Sequence, residues 1–130
     1  MSQTVKVGLI GSQFGATLHI EALARVPHAE VVAAASPTAA HVEEFTRRHQ
    51  IPQALTDYRG LLALPEIELV CVSVPNYLHC QVTLDALAAG KHVVIEKPLA
   101  MNLEEADRMI AAARAAGKKL MYAENLCFTP

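Results

Sequence analysis

Apolar residues along the chain fall into short blocks, and the spacing inside the blocks alternates between two kinds. Val5–Ile10 is a compact apolar run and reads as a strand. The segment after it carries Leu18, Ala22, Leu23 and Val26 at helical spacing, which predicts a helix over Ala16–Arg25 with that stripe facing the core and Pro27 as its stop. Glu30–Ala35 is a second strand. Thr38–His49 is a polar-faced helix with Thr38 as N-cap, Gln53–Leu55 a very short strand, Thr56–Leu62 a short helix, and Leu69–Ser73 a further strand closed by Pro75-Asn76.

The last third repeats one grammar twice. Leu84–Gly90 and Met109–Gly117 are alanine-rich helices, each ending in glycine, followed by lysine and then by the runs His92–Ile95 and Leu120–Tyr122. Gly90 and Gly117 suit the left-handed residue that closes a helix, where a side chain would be strained. Asn102 followed by Glu105 approximates a capping box, with Leu103, Ala106, Ile110 and Ala113 along one face of the helix it opens.

Strands without a polar face, separated by helices, predict a mainly parallel, doubly wound α/β sheet (a Rossmann fold) with helices on both faces. Ligands of such sheets bind beyond the carboxyl ends of the strands. Gly11–Gly15, Ser36, Ser73–Asn76 and Glu96–Pro98 all fall there.

Composition narrows the classes. The 130 residues suit one domain, and 52% hydrophobic against 18% charged residues provides for a buried core. A net charge of -2 with scattered basic residues gives no electrostatic ground for binding nucleic acid or an acidic membrane surface. No apolar stretch approaches the ~20 residues that cross a bilayer. Cys71, Cys80 and Cys127 form no CxxC pair and are odd in number, which speaks against a disulfide framework or a thiolate zinc site and for reduced thiols in a cytoplasmic protein. The start of the chain runs into a strand without a signal-peptide pattern. The histidines His19, His28, His41, His49 and His92 read as structural or solvated, and no metal is expected.

The candidate chemistry sits at the strand ends. Helix N-termini leave N–H groups unpaired and partly positive, and a glycine at the turn lets a phosphate reach them. Gly11 fits the first glycine of a dinucleotide fingerprint. Gln13 stands at the second position, Ala16 at the third, and Gly15 one place early. The Gln13 side chain occupies the spot where backbone usually meets phosphate, and its contribution is open. The second strand ends in Ser36 rather than a carboxylate, which lowers repulsion toward a 2′-phosphate. No arginine follows directly, Arg47 and Arg48 read as solvated, and NAD and NADP both stand. Lys97 follows a buried strand and is restricted by Pro98 to extended geometry, so its amine can reach a substrate oxygen, with Glu96 to orient it. A surface ion pair is the alternative for these two. Ser73, Pro75, Asn76 and His79 could wall a nicotinamide pocket; Asn76 also reads as an N-cap, and the two roles are compatible.

Val7-Gly8-Leu9-Ile10-Gly11 with His19, Val74-Pro75-Asn76-Tyr77-Leu78-His79, Ala88-Ala89-Gly90-Lys91-His92-Val93, Glu96-Lys97-Pro98-Leu99-Ala100 and Tyr122-Ala123-Glu124-Asn125 with Phe128 together resemble the Gfo/Idh/MocA oxidoreductases in order and spacing. The resemblance implies an NAD(P)-binding Rossmann domain over residues 1–122, with 123–130 opening the connection to a C-terminal substrate domain absent from this chain. It implies that the turn Gly11, Ser12, Gln13, Phe14, Gly15 and Ala16 holds pyrophosphate. Ser36, Ser73, Pro75, Asn76, His79, Glu96, Lys97 and Asn125 complete the cofactor site. The resemblance further implies that Lys97 is the catalytic residue, handling the proton of a sugar, inositol or related polyol. Gln13 and Ser36 depart from the family's pattern. The expected activity is that of an oxidoreductase half-site with little turnover by itself. The other readings are a non-catalytic nucleotide-binding or redox-sensing module, and an interaction domain forming a homo-oligomer.

Overall fold

A computed structural model describes residues 3–130, the Phe128 side chain lying outside the described residues together with residues 1 and 2 of the expected domain. Six strands, β1 (Val5–Ile10), β2 (Ala29–Ala35), β3 (Gln53–Leu55), β4 (Leu69–Val72), β5 (His92–Glu96) and β6 (Leu120–Ala123), form one sheet in the order β3-β2-β1-β4-β5-β6. Every pairing is parallel, so the expected doubly wound sheet is present and all six carboxyl ends open on one rim. The strand order reverses direction at β1, between its neighbours β2 and β4. That is where a crevice forms in such folds.

Five helices join the strands: α1 (Phe14–Leu23), α2 (Ala39–His49), α3 (Tyr58–Leu62), α4 (His79–Ala88) and α5 (Leu103–Ala116). The alternation of side chains along each strand divides the core in two. Val7, Leu9, Ala34 and Cys71 face one way and pack with Ala16 of α1 and with Val42 and Phe45 of α2. Ile10, Ala33, Ala35, Val70, Val72, Val93 and Ile95 face the other way, against Leu61 of α3, Ala86 of α4 and Met109 of α5. Gly8 belongs to that second face, and a Cβ there would stand 2.6 Å from Leu61 Cδ2.

Two predicted stripes differ from the buried ones. In α1 the sheet side is Ala16, Ile20 and Leu23, whereas Leu18, Ala22 and Val26 are exposed, Leu18 at 47%. The helix begins at Phe14 rather than Ala16, with Gln13 at the cap. Its residues are apolar on more than one side, so periodicity alone gives no unique face. In α5 the inward residues are Met109 and Ala113 with Ala106 partly buried, and Leu103 is 83% exposed.

Caps account for the remaining differences. Thr38 precedes α2 as expected but makes no side-chain cap bond. Asp57, not Thr56, caps α3, its Oδ1 accepting from the Arg59 N–H at 2.8 Å. Asn76 is no cap of α4; it opens a 3-10 turn, Asn76–Leu78, that precedes the helix. The Asn102 cap is present, Asn102 Oδ1 accepting from Glu105 N–H at 2.9 Å, while Glu105 Oε2 reaches one residue further back and accepts from Met101 N–H at 3.0 Å. Gly90 and Gly117 both take positive φ, 78° and 64°, as the helix-glycine-lysine repeat requires. The tail forms a second 3-10 turn, Asn125–Phe128, capped by the Glu124 carboxylate.

Candidate dinucleotide site

The turn from β1 into α1 is the floor of the site. Gly11 has φ +123°, open only to glycine in practice, and a Cβ there would sit 2.4 Å from the Ser73 carbonyl oxygen. Gly15 plays a second part: a Cβ there would meet Ser73 Cβ at 2.9 Å, so this glycine lets the first turn of α1 come close to the loop leaving β4. The fingerprint's early glycine is thus explained by packing against Ser73. The first N–H of α1 with an intrahelical partner is that of Thr17, which donates to Gln13 O at 3.0 Å. Gln13 supplies no side-chain cap. The N–H groups of Phe14, Gly15 and Ala16 are therefore left for an anion at the positive end of the helix.

Two clefts meet over this turn. The first, about 780 Å³, runs toward β2 and β3 and is bounded by Gly11–Gly15, Ser36–Thr38, His41 and Thr56–Arg59. The second, about 620 Å³, runs toward β5 and β6 and is bounded by Gly15, His19, Glu96, Lys97, Met121 and Asn125. Phe14, Gly15, Ser73 and Val74 border both. Two lobes joined over an anion-binding helix end have the shape of a two-nucleotide ligand. The buried hydroxyls of Ser12, on the first lobe, and Ser73, on both, have no hydrogen-bond partner among the described residues. The residues present therefore fit NAD or NADP: a glycine turn with unpaired helix N–H groups lies between two lobes, beside hydroxyls that have no partner among the described residues. Tyr58 roots the far wall of the first lobe: its hydroxyl donates to Asp85 Oδ2 at 2.5 Å, and burial followed by that bond pushes its pKa up to about 12.

Lys97 lies at the rim of the second lobe, exposed, on the same cleft as Gly15. Glu96 does not grip its amine. Glu96 Oε2 instead accepts from the Lys97 backbone N–H at 3.2 Å, while Oε1 accepts from His19 Nε2 at 2.9 Å. The carboxylate thus ties α1 to the end of β5 and fixes the backbone that carries the lysine. The Lys97–Pro98 bond is cis.

Other expected site residues are sorted by the geometry. Ser36 borders the first lobe, its N–H donating to Leu55 O at 3.0 Å. Pro75 borders the same lobe, and Asn125 the second. Ala16 is buried under the helix end and can offer only its backbone. Asn76 is exposed and borders neither lobe. His79 abuts the second lobe but is only 1% exposed, its ring nitrogens facing backbone carbonyls, so the polar contact to cofactor expected of it is not made from this position.

One participant escapes a reading by residue pattern. His19, expected to be structural or solvated, pairs with Glu96 across 77 positions of chain. Its standing in the resembling pattern marks it in the sequence without naming Glu96 as its partner. Arg48 is exposed, as expected, and borders a smaller hollow of about 390 Å³ next to Ser12, with His41 and Glu44.

Comparison with known proteins agrees with this geometry. The sequence matches the oxidoreductase family with an NAD-binding Rossmann fold, Gfo/Idh/MocA, over residues 5–124. It is 40% identical over 110 residues to 1,5-anhydro-D-fructose reductase of Ensifer adhaerens, an alignment covering 85% of this chain and 33% of that one. The fold superposes on the NAD-binding oxidoreductase of Klebsiella pneumoniae with a TM-score of 0.92 at 36% identity, covering 98% of this chain and 36% of the other. It superposes on levoglucosan dehydrogenase in complex with NADH with a TM-score of 0.91 at 31% identity, covering 95% and 36%. The chain spans roughly a third of the length of the curated relatives it matches. By sequence, by fold and by the shape of its crevice, this chain belongs to the Gfo/Idh/MocA oxidoreductases, as an NAD-binding Rossmann domain of that family.

Proposed function

We propose that the chain forms the dinucleotide half of an enzyme that moves hydride between nicotinamide C4 and a carbinol or carbonyl carbon of a sugar, inositol or related polyol. The carrying observation is the pair of lobes meeting over Gly11–Gly15 with Lys97 on the rim of one of them. Bound NAD or NADP supplies the hydride chemistry. The α1 N–H groups hold the negative pyrophosphate. Ser73 and Val74 separate the two lobes. The Lys97 amine, carried on a backbone that Glu96 fixes, donates a hydrogen bond to the substrate oxygen and exchanges its proton as the carbon is oxidised or reduced. The sugar class is supported by relatives named for levoglucosan and 1,5-anhydro-D-fructose. Cys71, Cys80 and Cys127 are free thiols, which supports a reducing, cytoplasmic setting.

Calorimetric titration of the 130-residue chain with NADH and NADPH tests the first part: saturable binding of at least one is expected, and binding of neither overturns it. In any form of the protein that turns over substrate, Lys97→Ala lowers kcat by about 10²–10⁴-fold with dinucleotide affinity kept. Unchanged kcat would remove the lysine from the mechanism. A second reading, a nucleotide-binding or redox-sensing module without turnover, draws on the exposure of Lys97 and on Gln13 and Ser36 at the two cofactor positions.

A further inference from the structure

We infer that His79 is the positioning residue for Lys97: its ring ties the loop after β5 to the loop after β4 and so sets where the lysine stands against the nicotinamide. The observation is the placement of both ring nitrogens. Nδ1 lies 2.6 Å from the Pro98 carbonyl oxygen, one residue past the lysine, and Nε2 lies 2.9 Å from the Val74 carbonyl oxygen, which belongs to the wall shared by the two lobes. Carbonyl oxygens only accept, so the ring must donate: a neutral imidazole, with one N–H, bonds one of the two carbonyls, and an imidazolium bonds both. The side chain is 1% exposed, which shields these ring–carbonyl contacts from bulk solvent.

The loops it joins have little else in common. They leave the neighbouring strands β4 and β5, whose ladder ends at the Val72–Ile95 pair. Beyond that pair the two chains diverge, one into the 3-10 turn at Asn76 and the other through Lys97-Pro98 toward α5. Among the described residues, no backbone hydrogen bond between these loops replaces the ladder there. His79 ends the loop after β4 and is held as the first residue of α4, a helix buried through Cys80, Val82, Thr83 and Ala86. It therefore acts as a rigid post with two arms. Glu96 restrains the N–H side of Lys97 and His79 restrains the carbonyl side of Pro98, so the lysine's backbone is held from both directions while its amine stays free.

The inference rests on the dinucleotide reading above, and the test separates the two. The 130-residue chain and its His79→Phe and His79→Gln variants are titrated with NADH and with ADP-ribose, which lacks the nicotinamide. Phenylalanine fills the space without a donor; glutamine restores one N–H. The expected result is that His79→Phe weakens NADH by about tenfold, the equivalent of one buried hydrogen bond, with ADP-ribose affinity unchanged, and that His79→Gln recovers most of the loss. The Lys97 side-chain Cε resonance should shift on adding NADH in the parent chain and the Gln variant and stay still in the Phe variant. Equal NADH affinity and an unmoved Lys97 resonance across all three proteins would overturn the inference. So would parallel loss of both ligands in both variants, which would make His79 a packing residue only. If the parent chain binds neither ligand, the cofactor reading fails by itself. The ligand-free spectra then decide the clamp: altered Lys97 and Leu99 amide shifts in His79→Phe, restored in His79→Gln, support it, and identical shifts overturn it.

Discussion

A Cβ at residue 11 has nowhere to go. The backbone there is at positive φ and the Ser73 carbonyl stands 2.4 Å from the place the atom would take. Gly11→Ala should cost about 1–3 kcal/mol in stability through the backbone alone, and it should abolish NADH binding because the turn can no longer carry Ser12 and Gln13 beneath a phosphate. A urea titration and an NADH fluorescence titration on the same variant check both parts; full affinity in the alanine protein would mean that the turn is not the phosphate floor. This residue is legible from the sequence because a tight passage from a buried strand into a helix calls for glycine. Lys97 is legible through its neighbours, Pro98 fixing the backbone and Glu96 standing beside it. The roles of His79 and of the His19–Glu96 pair are not. Both depend on which atoms of distant loops end up opposite a ring, and nothing in the spacing of residues 19, 79 and 96 carries that information.

Among the elements, existence and order are legible and the buried faces less so. The strands are recoverable because most carry a central apolar run, bounded by glycine, proline or polar residues. The buried faces of α1 and α5 differ from the expected ones for one reason: both helices are built largely from alanine and aliphatic residues, so Leu18 and Leu103 look as suited to the core as Ile20 and Met109 do. What turns the helices is packing, Ala16 fitting the sheet and Gly15 fitting Ser73. The start of α5 is clearer, since a capping box is read from side-chain chemistry rather than from periodicity. Asn102→Ala should destabilise the domain by about 1 kcal/mol, with Asn102→Asp close to neutral. Denaturation midpoints of the two variants would show it, and equal loss in both would mean that the cap oxygen is not what holds Glu105 N–H.

For the whole molecule, the parallel sheet has an ionic consequence that begins in its interior. Cys71 is buried at the centre of β4, and burial, with Glu96 adding repulsion, pushes its pKa from 9.0 up to about 12. Tyr58 is raised from 10.0 to about 12. Between those values the folded protein keeps protons that the unfolded chain releases, so unfolding is favoured as pH rises from about 9 to 12. Lys91 runs the opposite way. Burial lowers its pKa below 10.5, the unfolded chain binds the extra proton, and its contribution to stability grows as pH climbs toward that value. The raised acids give an alkaline weakness that Lys91 opposes. The urea midpoint should be lower at pH 10.5 than at pH 8, and the drop should be smaller in Cys71→Ala; an identical drop in that variant would clear the thiol of responsibility.

The uniform strand direction has one more effect. Because each crossover returns the chain to the same starting edge, the connections at Pro27–His28, Pro65–Glu66 and Lys118–Lys119 gather on the rim remote from the crevice. Length, charge or a fused tag can be varied there without disturbing a single group that faces the ligand. The molecule thus has a working end and a handle, and only the handle is free to change.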